Sequence, residues 1–483
     1  MATRFDSRFM DRWREPGGYR DILKMAVPLV LSTGASTVLH FVDRMFLSWY
    51  SAESIAAAMP AAMLNFAAMS FFIGTAGYVN TFVAQYEGAK QPDRIGPALY
   101  QGLYIAAIGG FIVFIASLFS RQLFDFVGHV ESVRRLESEY FAILSRWAIF
   151  PIAAAAFSGF FSGRGQNWPV MWANLIGLVV NVVLDYGMIF GKFGFRAEGI
   201  VGAGRATVIA GAVLCLVYCV WIFSRKSEWR LYGLSRFLPD GRLFRRILIF
   251  GAPNGAQFLV DWGSFAIVVL LIGRLGLVEL AATNLAFNIN GLAFMPMLGI
   301  GIAISVVVGR FQGAGSPEKS RRSTYSGMHI CFLYMALVAI TYVVVPDFYV
   351  SLFGIRADPL QFEPIRRVVI VLLRFVAIYT LVDTLNIVFA SALKGAGDTR
   401  FVMFMIVVVS LFGLTLPTYL AIELFDVSIY GVWLIVSIYV ALLGGSFYLR
   451  FITGKWKSMK VIESAGAPIQ MIYPSVPVSE SEV

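Results

Sequence analysis

Four polar residues in apolar surroundings, Asp43, Asn181, Asp185 and Thr207, offer the chemistry of a cation or proton site. Asp43 stands in VLHFVDRMFLSWY and Asp185 in NLIGLVVNVVLDYGMIF, runs with no second acid. A charge at membrane depth costs about 2.5–3.5 kcal/mol on insertion scales, so such a group is expected to bind or move something. Arg44 follows Asp43, but adjacent helical residues point about 100° apart and pair poorly. Asn181 and Asp185 are spaced i,i+4 and share a helix face. Two carboxylates, an amide and a hydroxyl are hard oxygen ligands, suited to Na⁺. Two close carboxylates also repel when both are ionised, so one could instead hold a proton. The bland alternative is a set of unrelated polar groups near loops.

A second set lies further on. Asp261, in QFLVDWGSF, and Asp383, in AIYTLVDTLN, are both mid-run, and Tyr379 precedes Asp383 by one turn on the same face. These three could form a second cation or substrate site, or Asp261 and Asp383 could be structural, paired with Arg374 or with one another. Asn254, Asn284 and Asn288 add amides that could line a cavity. Cys215 and Cys219 also share a face, but no histidine or carboxylate is near, so they and Cys331 read as small buried hydrophobes. The histidines are His40, His129 and His329 alone, and no metalloprotease, Ser-His or dinucleotide motif stands in a fitting context. An enzyme is not expected, nor any cofactor beyond a coupling ion.

These residues need elements that can carry them through lipid. Mean hydropathy is +0.74, 58% of residues are hydrophobic and 14% are charged, against roughly 25% charged in soluble chains. The chain reads as an all-α polytopic membrane protein. Twelve spans are expected, at 22–50, 57–84, 98–119, 139–163, 168–191, 199–223, 247–273, 280–308, 323–345, 366–393, 401–423 and 429–452. The first 21 residues lack the apolar core of a removable signal. With the N-terminus inside, about 26 Lys and Arg fall on one side and about nine on the other. That asymmetry places both termini in the cytoplasm and the chain in the cell's inner (plasma) membrane. The net charge of +10 therefore reflects membrane orientation and is no sign of a nucleic-acid partner.

The chain also repeats itself. Pro28 is followed by SAESIAAAMPA and VAQYEGAKQPDR, and Pro253 by GLVELAATNLA and VGRFQGAGSPEK, an offset of about 225 residues. An even number of spans returns the chain to the same side, so two six-helix lobes of equal orientation follow, with a site between them near the midplane. The expected division is an N-lobe over 1–223, a basic linker over 224–246, a C-lobe over 247–452 and a tail over 453–483. The tail, rich in proline and glutamate after Lys460, is expected to be disordered.

Several stretches together resemble the multidrug and toxic compound extrusion (MATE) transporters: FVDRMFLSWYSAESIAAA, VAQYEGAKQPDR, NWPVMWANLIGLVVNVVLDYGMIFGKFG, GIVGAGRATVIA, ELAATNLAFNINGLAFMPMLGIGIAISVVVGRFQGAG and SALKGAGDTRF. The resemblance runs from about Asp21 to Tyr448. It implies a MATE-like twelve-helix antiporter with two pseudo-symmetric lobes, here expected to act as a monomer in the bilayer. Such an antiporter exports bulky, mostly cationic amphipathic compounds, driven by Na⁺ or H⁺. It also implies that Asp43, Asn181, Asp185 and Thr207 are the N-lobe coupling residues, and that Asp261, Asp383 and Tyr379 match the second-lobe cation site of the NorM-like branch. That branch usually has Glu where Asp261 stands, and the family often has a small or polar residue where Arg44 stands. A lipid-linked saccharide flippase of the same superfamily is the alternative. It would favour a basic cavity, for which Arg44, Arg146, Arg205 and Arg374 are the in-span cations.

Overall fold

The computed structural model describes residues 12–127, 129–224, 232, 238–354 and 359–463. Most of the linker, Arg356 and residues 464–483 of the tail lie outside them. The N-lobe holds α1 (Tyr19–Tyr50), α2 (Ala52–Gly77), α3 (Val79–Gly88), α4 (Ile95–Leu118), α5 (Ser120–Val127), α6 (Glu131–Arg146), α7 (Ile149–Gly163), α8 (Asn167–Phe190) and α9 (Ile200–Ser224). The C-lobe holds α10 (Gly241–Ile272), α11 (Leu277–Gly313), α12 (Pro317–Val344), α13 (Pro346–Gly354), α14 (Pro359–Ala396), α15 (Thr399–Val409), α16 (Leu416–Phe425) and α17 (Ile429–Ile452). Eleven of the helical spans are long and apolar enough to cross a membrane, and α6 with α7, bent by 45°, completes twelve. The fold is thus all-α, in two six-span lobes.

Local chemistry sets the ends and breaks. The Ser51 hydroxyl accepts the Ser54 N–H and starts α2, and the Asp240 carboxylate accepts the N–H groups of Arg242 and Leu243 and starts α10. Gly191 closes α8 at φ 69°, a conformation that suits glycine. The fourth span departs from the expected 139–163. It begins at Glu131 and breaks at Trp147–Ala148, because Pro151 has no N–H to return to the Trp147 carbonyl. In the eleventh span a π-helical stretch, Ser410–Thr415, separates α15 from α16. It lies just before Pro417, which has no N–H for the Gly413 carbonyl.

The lobes meet where α1 packs on α11 and where α10 packs on α2. This is one contact with its partners exchanged, as the repeat requires. Backbones approach closely there. A Cβ on Gly74 would meet Gly255, and one on Gly299 would meet the α1 backbone at Leu29 and Val30. Several hydrogen bonds join the lobes. Tyr78 Oη donates to Lys394 O (2.7 Å), Gln85 Nε2 to Gly395 O (3.0 Å), and Thr33 Oγ1 to Met295 O (3.1 Å).

The segment after α17 corrects an expectation. Residues 453–463, assigned to a disordered tail, are folded against both lobes. Trp456 is buried and stacks on Phe451 at 4.7 Å, and Gln312 Nε2 donates to Lys457 O and Met459 O, both at 2.8 Å. The Val461 N–H donates to Gln85 Oε1 (2.9 Å), and Glu463 accepts from Tyr86 Oη (2.9 Å) and Arg94 Nη2 (3.3 Å). The polar composition of the tail hides three apolar anchors, Trp456, Val461 and Ile462, all buried. Trp456→Ala is expected to cost about 3–5 kcal/mol of packing. Thermal unfolding in detergent should show a clearly lowered Tm, whereas Lys460→Ala, at an exposed position, should leave it unchanged.

Candidate functional site

The N-lobe residues singled out by type come together in three dimensions. Asp43 is contributed by α1, Asn181 and Asp185 by α8, and Thr207 by α9. Packing of α8 against both α1 and α9 brings the three helices into one bundle. Asn181 and Asp185 are fully buried and Asp43 is nearly so. Asn181 Nδ2 donates to Thr207 Oγ1 at 3.5 Å, and Tyr140 Oη, from α6, donates to Asp43 Oδ2 at 3.5 Å. Asp185 lies within Coulombic reach of Asp43.

The oxygen inventory defines what this cluster can hold. Asp43 Oδ1, both carboxylate oxygens of Asp185 and Asn181 Oδ1 are buried without a protein donor. An unpaired buried carboxylate is costly, so these atoms call for a proton or a cation. Among the described residues no group of three or more His, Cys, Asp or Glu converges as a transition-metal site. Two carboxylates, an amide and a hydroxyl instead fit a hard monovalent cation. Tyr140 was missed by the sequence reading, because a tyrosine in the half-polar stretch EYFAILSR carries no signal of depth.

The C-lobe set is more dispersed. Asp383 is buried in α14 and accepts from Asn386 Nδ2 at 2.9 Å. Asp261 in α10 is half-buried and accepts from Gln257 Nε2 at 3.4 Å. Tyr379 Oη accepts from Asn290 Nδ2 at 3.0 Å, and its ring tilts against Trp433, whose Nε1–H donates to Thr283 Oγ1 at 3.3 Å. The two acids are within Coulombic reach of each other. The suggested balancing cation is corrected. Arg374 is exposed and makes no ion pair among the described residues, and the cation that acts on Asp261 is Lys394. Lys394 stands just past the expected span 366–393, but α14 runs on to Ala396.

The three candidate lining amides separate. Asn254 is buried, and its Nδ2 donates to Gly74 O of the other lobe at 2.8 Å. It ties the lobes together rather than lining a cavity, because the close approach of Gly74 to Gly255 puts a carbonyl within its reach. Asn284 and Asn288, on α11, are both exposed.

Comparison with known proteins agrees with this architecture. The MatE family model matches residues 28–187 and 253–418, so the two matched segments begin at the two repeat prolines. A protein described as probable multidrug resistance protein NorM from Xanthomonas axonopodis pv. citri is 29% identical over 384 residues, covering 79% of this chain and 82% of that protein. Its counterpart of the same description from Bradyrhizobium diazoefficiens is 30% identical over 389 residues, covering 79% and 81%. Among solved structures, a MOP superfamily transporter from Pyrococcus furiosus superposes with a TM-score of 0.83 at 20% identity, covering 93% of this chain and 98% of that one. The outward-facing structure of a multidrug resistance MATE family transporter gives the same TM-score, 0.83, and the same coverage. The repeated fold, the buried acids of each lobe and a family match that spans most of both lobes lead to one conclusion: this multi-pass membrane protein belongs to the MATE family of transporters.

Proposed function

We propose that this chain is an antiporter that exports bulky, mostly cationic amphipathic compounds, drugs and toxins among them, by alternating access, driven by entry of Na⁺ or H⁺. The observation that carries the reading is the N-lobe cluster, where buried carboxylate oxygens of Asp43 and Asp185 have no protein donor. Either coupling ion would satisfy them, and their loss of it would change the charge inside the lobe. The names of the relatives, multidrug resistance proteins, support drug export as the direction of transport. One charge crossing about 100 mV supplies roughly 2.3 kcal/mol, enough to drive such a cycle uphill. Asp261, Asp383 and Tyr379 form a second cation or substrate site in the C-lobe. One chain supplies both walls of the cleft between lobes, so a monomer suffices.

Counterflow in proteoliposomes tests the reading. An imposed Na⁺ or H⁺ gradient should drive uptake of an amphipathic dye, and the dye should in turn drive movement of the same ion. Dye movement indifferent to both gradients would refute antiport.

We place both termini and the Ser224–Arg246 segment in the cytoplasm of a cell whose inner membrane holds the protein, on the uneven division of Lys and Arg. A single cysteine at Ser235 should resist an impermeant reagent added to intact cells, and one at Arg356 should react. Labelling at 235 from outside would overturn this orientation.

A further inference from the structure

The lipid-facing side of the N-lobe carries a groove that the coupling residues do not use. The fourth span breaks at Trp147–Ala148, and α7 leaves the line of α6 by 45°. α9 packs on both halves, with Gly204 against Ile143 and Tyr140 of α6 and Gly211 against Phe150 of α7. The bend leaves a groove of about 320 Å³ between them. Trp147 and Phe150, stacked with centroids 5.8 Å apart, form one wall. Val208, Ile209, Ala212 and Leu216 of α9 form the other, and among the described residues none that lines the groove is charged. Ile209 and Leu216 are exposed, and Arg205, Val220 and Phe223 fall on the same exposed face at helical spacing. That face turns away from Thr207, whose hydroxyl meets Asn181 inside the lobe. The groove therefore opens toward the hydrocarbon of the bilayer.

Arg146, the last residue of α6, stands at one mouth of this groove. Spans four and six run in the same direction, so Arg146 and Trp147, just beyond the contact of Ile143 with Gly204, come level with Val208. Arg146 is exposed and shares an α6 face with Arg135 and Glu139, at i−11 and i−7. It lies about 10 Å further along the helix than Glu139. It has no hydrogen bond or ion pair among the described residues. The acids nearer the helix starts are already held: Glu139 accepts from Arg135 Nε (3.0 Å), and Glu198 accepts from Arg205 Nη1 (2.5 and 2.7 Å). An unpaired cation at span depth is costly unless its side chain reaches an anion at the interface. A guanidinium fork matches a phosphate with two parallel N–H donors. An unpaired arginine above an apolar groove is thus the complement of an anionic phospholipid.

We infer that this groove is a binding site for one anionic phospholipid of the leaflet nearer the α6 start, with its phosphate on Arg146 and an acyl chain along Trp147, Phe150 and Ala212. The site is independent of the antiport reading, since it uses none of the coupling residues and lies on the opposite side of α9 from Thr207.

Native mass spectrometry of the purified full-length protein, titrated with phosphatidylglycerol or with phosphatidylethanolamine of the same chain length, tests this. Wild type should hold its tightest phosphatidylglycerol roughly tenfold more strongly than phosphatidylethanolamine, the scale of one charged hydrogen-bonding pair. In Arg146→Gln that preference should fall to near one. Arg146→Lys, which keeps the charge and loses the fork, should give an intermediate preference, and it carries the test if Arg146→Gln is not recovered folded. Ala212→Phe, which fills the groove, should weaken the tightest binding of both lipids severalfold. Equal binding of the two lipids by wild type, or a preference unchanged in the Arg146 variants, overturns recognition of the headgroup at Arg146. Phosphatidylglycerol binding unchanged in Ala212→Phe overturns the groove as the seat of the acyl chain. Displacement of phosphatidylglycerol by inorganic phosphate would mean that the chain adds nothing, and would overturn a phospholipid as the occupant.

Discussion

Asp43→Asn and Asp185→Asn each abolish ion-driven efflux while the protein still folds and inserts. The expectation follows from the atoms. Asp43 Oδ1 and both oxygens of Asp185 are buried without a donor, and Asn181 Oδ1 beside them is also unpaired. Those atoms can be satisfied by a proton or a cation, and an amide in place of either carboxylate can bind neither with the same charge. The substitution is nearly isosteric, so packing around α1 and α8 should survive. It also lowers the cost of placing the segment in lipid, so insertion should not suffer. Dye efflux from proteoliposomes under imposed Na⁺ and pH gradients measures the first effect, and a monodisperse profile in detergent checks the fold. Efflux at the wild-type rate across a range of pH in either variant would remove that residue from the coupling site. If both fail while Asp261→Asn and Asp383→Asn transport normally, coupling lives in the N-lobe alone and the C-lobe acids are structural.

The second large effect is expected at two glycines that the repeat makes equivalent. Gly88 begins GAKQPD and Gly313 begins GAGSPE. In the structure each lies against the other lobe. A Cβ on Gly88 would collide with the Arg310 carbonyl of α11, and a Cβ on Gly313 with the Gln85 carbonyl of α3. Backbone atoms cannot step aside as a side chain can, so Gly88→Val or Gly313→Val should wedge the terminal end apart. Overpacking of this kind costs about 1–3 kcal/mol, which is enough to shift a two-state equilibrium toward the separated arrangement by a factor of roughly five or more. Transport should stop, because the cleft could no longer be sealed at that end. Cysteines introduced at Thr33 and Met295, with the native Cys215, Cys219 and Cys331 replaced, report the separation. They should cross-link readily in the parent and severalfold less in either valine variant. Gly445→Val serves as the control, since a Cβ there meets nothing within 4 Å. Undiminished cross-linking in Gly88→Val would mean that the lobes yield elsewhere, and the glycine contact would not hold the closure.

These two cases differ in how far they could be read from the chain. The acids declare themselves because a carboxylate in an apolar run is costly wherever the helix happens to face. The glycines are visible only as a repeated loop signature. That Gly88 and Gly313 press on opposite lobes depends on how two bundles dock, and local sequence does not encode that contact. Tyr140 and Lys394 were likewise hidden. Tyr140 reaches Asp43 from a separate helix, and Lys394 lies within Coulombic reach of Asp261 from another, and both approaches depend on how α6 and α14 pack.

Sequence by itself determined the twelve spans, the duplicated lobes and the residues able to hold a cation, because hydropathy, charge and repeat spacing are properties of short segments. The bend at Trp147 was also written there, in Pro151, although it was not read in advance. Tertiary structure alone decided that Asn254 ties the lobes together instead of lining a cavity, and that 453–463 folds across them instead of trailing free. It also decided that Asp43 faces the N-lobe, where Tyr140 reaches it. The physical reason is the same in each case. Adjacent helical residues point about 100° apart, so one residue's depth can be estimated from its position in a run, but the neighbour it meets is fixed only when the helices around it have chosen their faces.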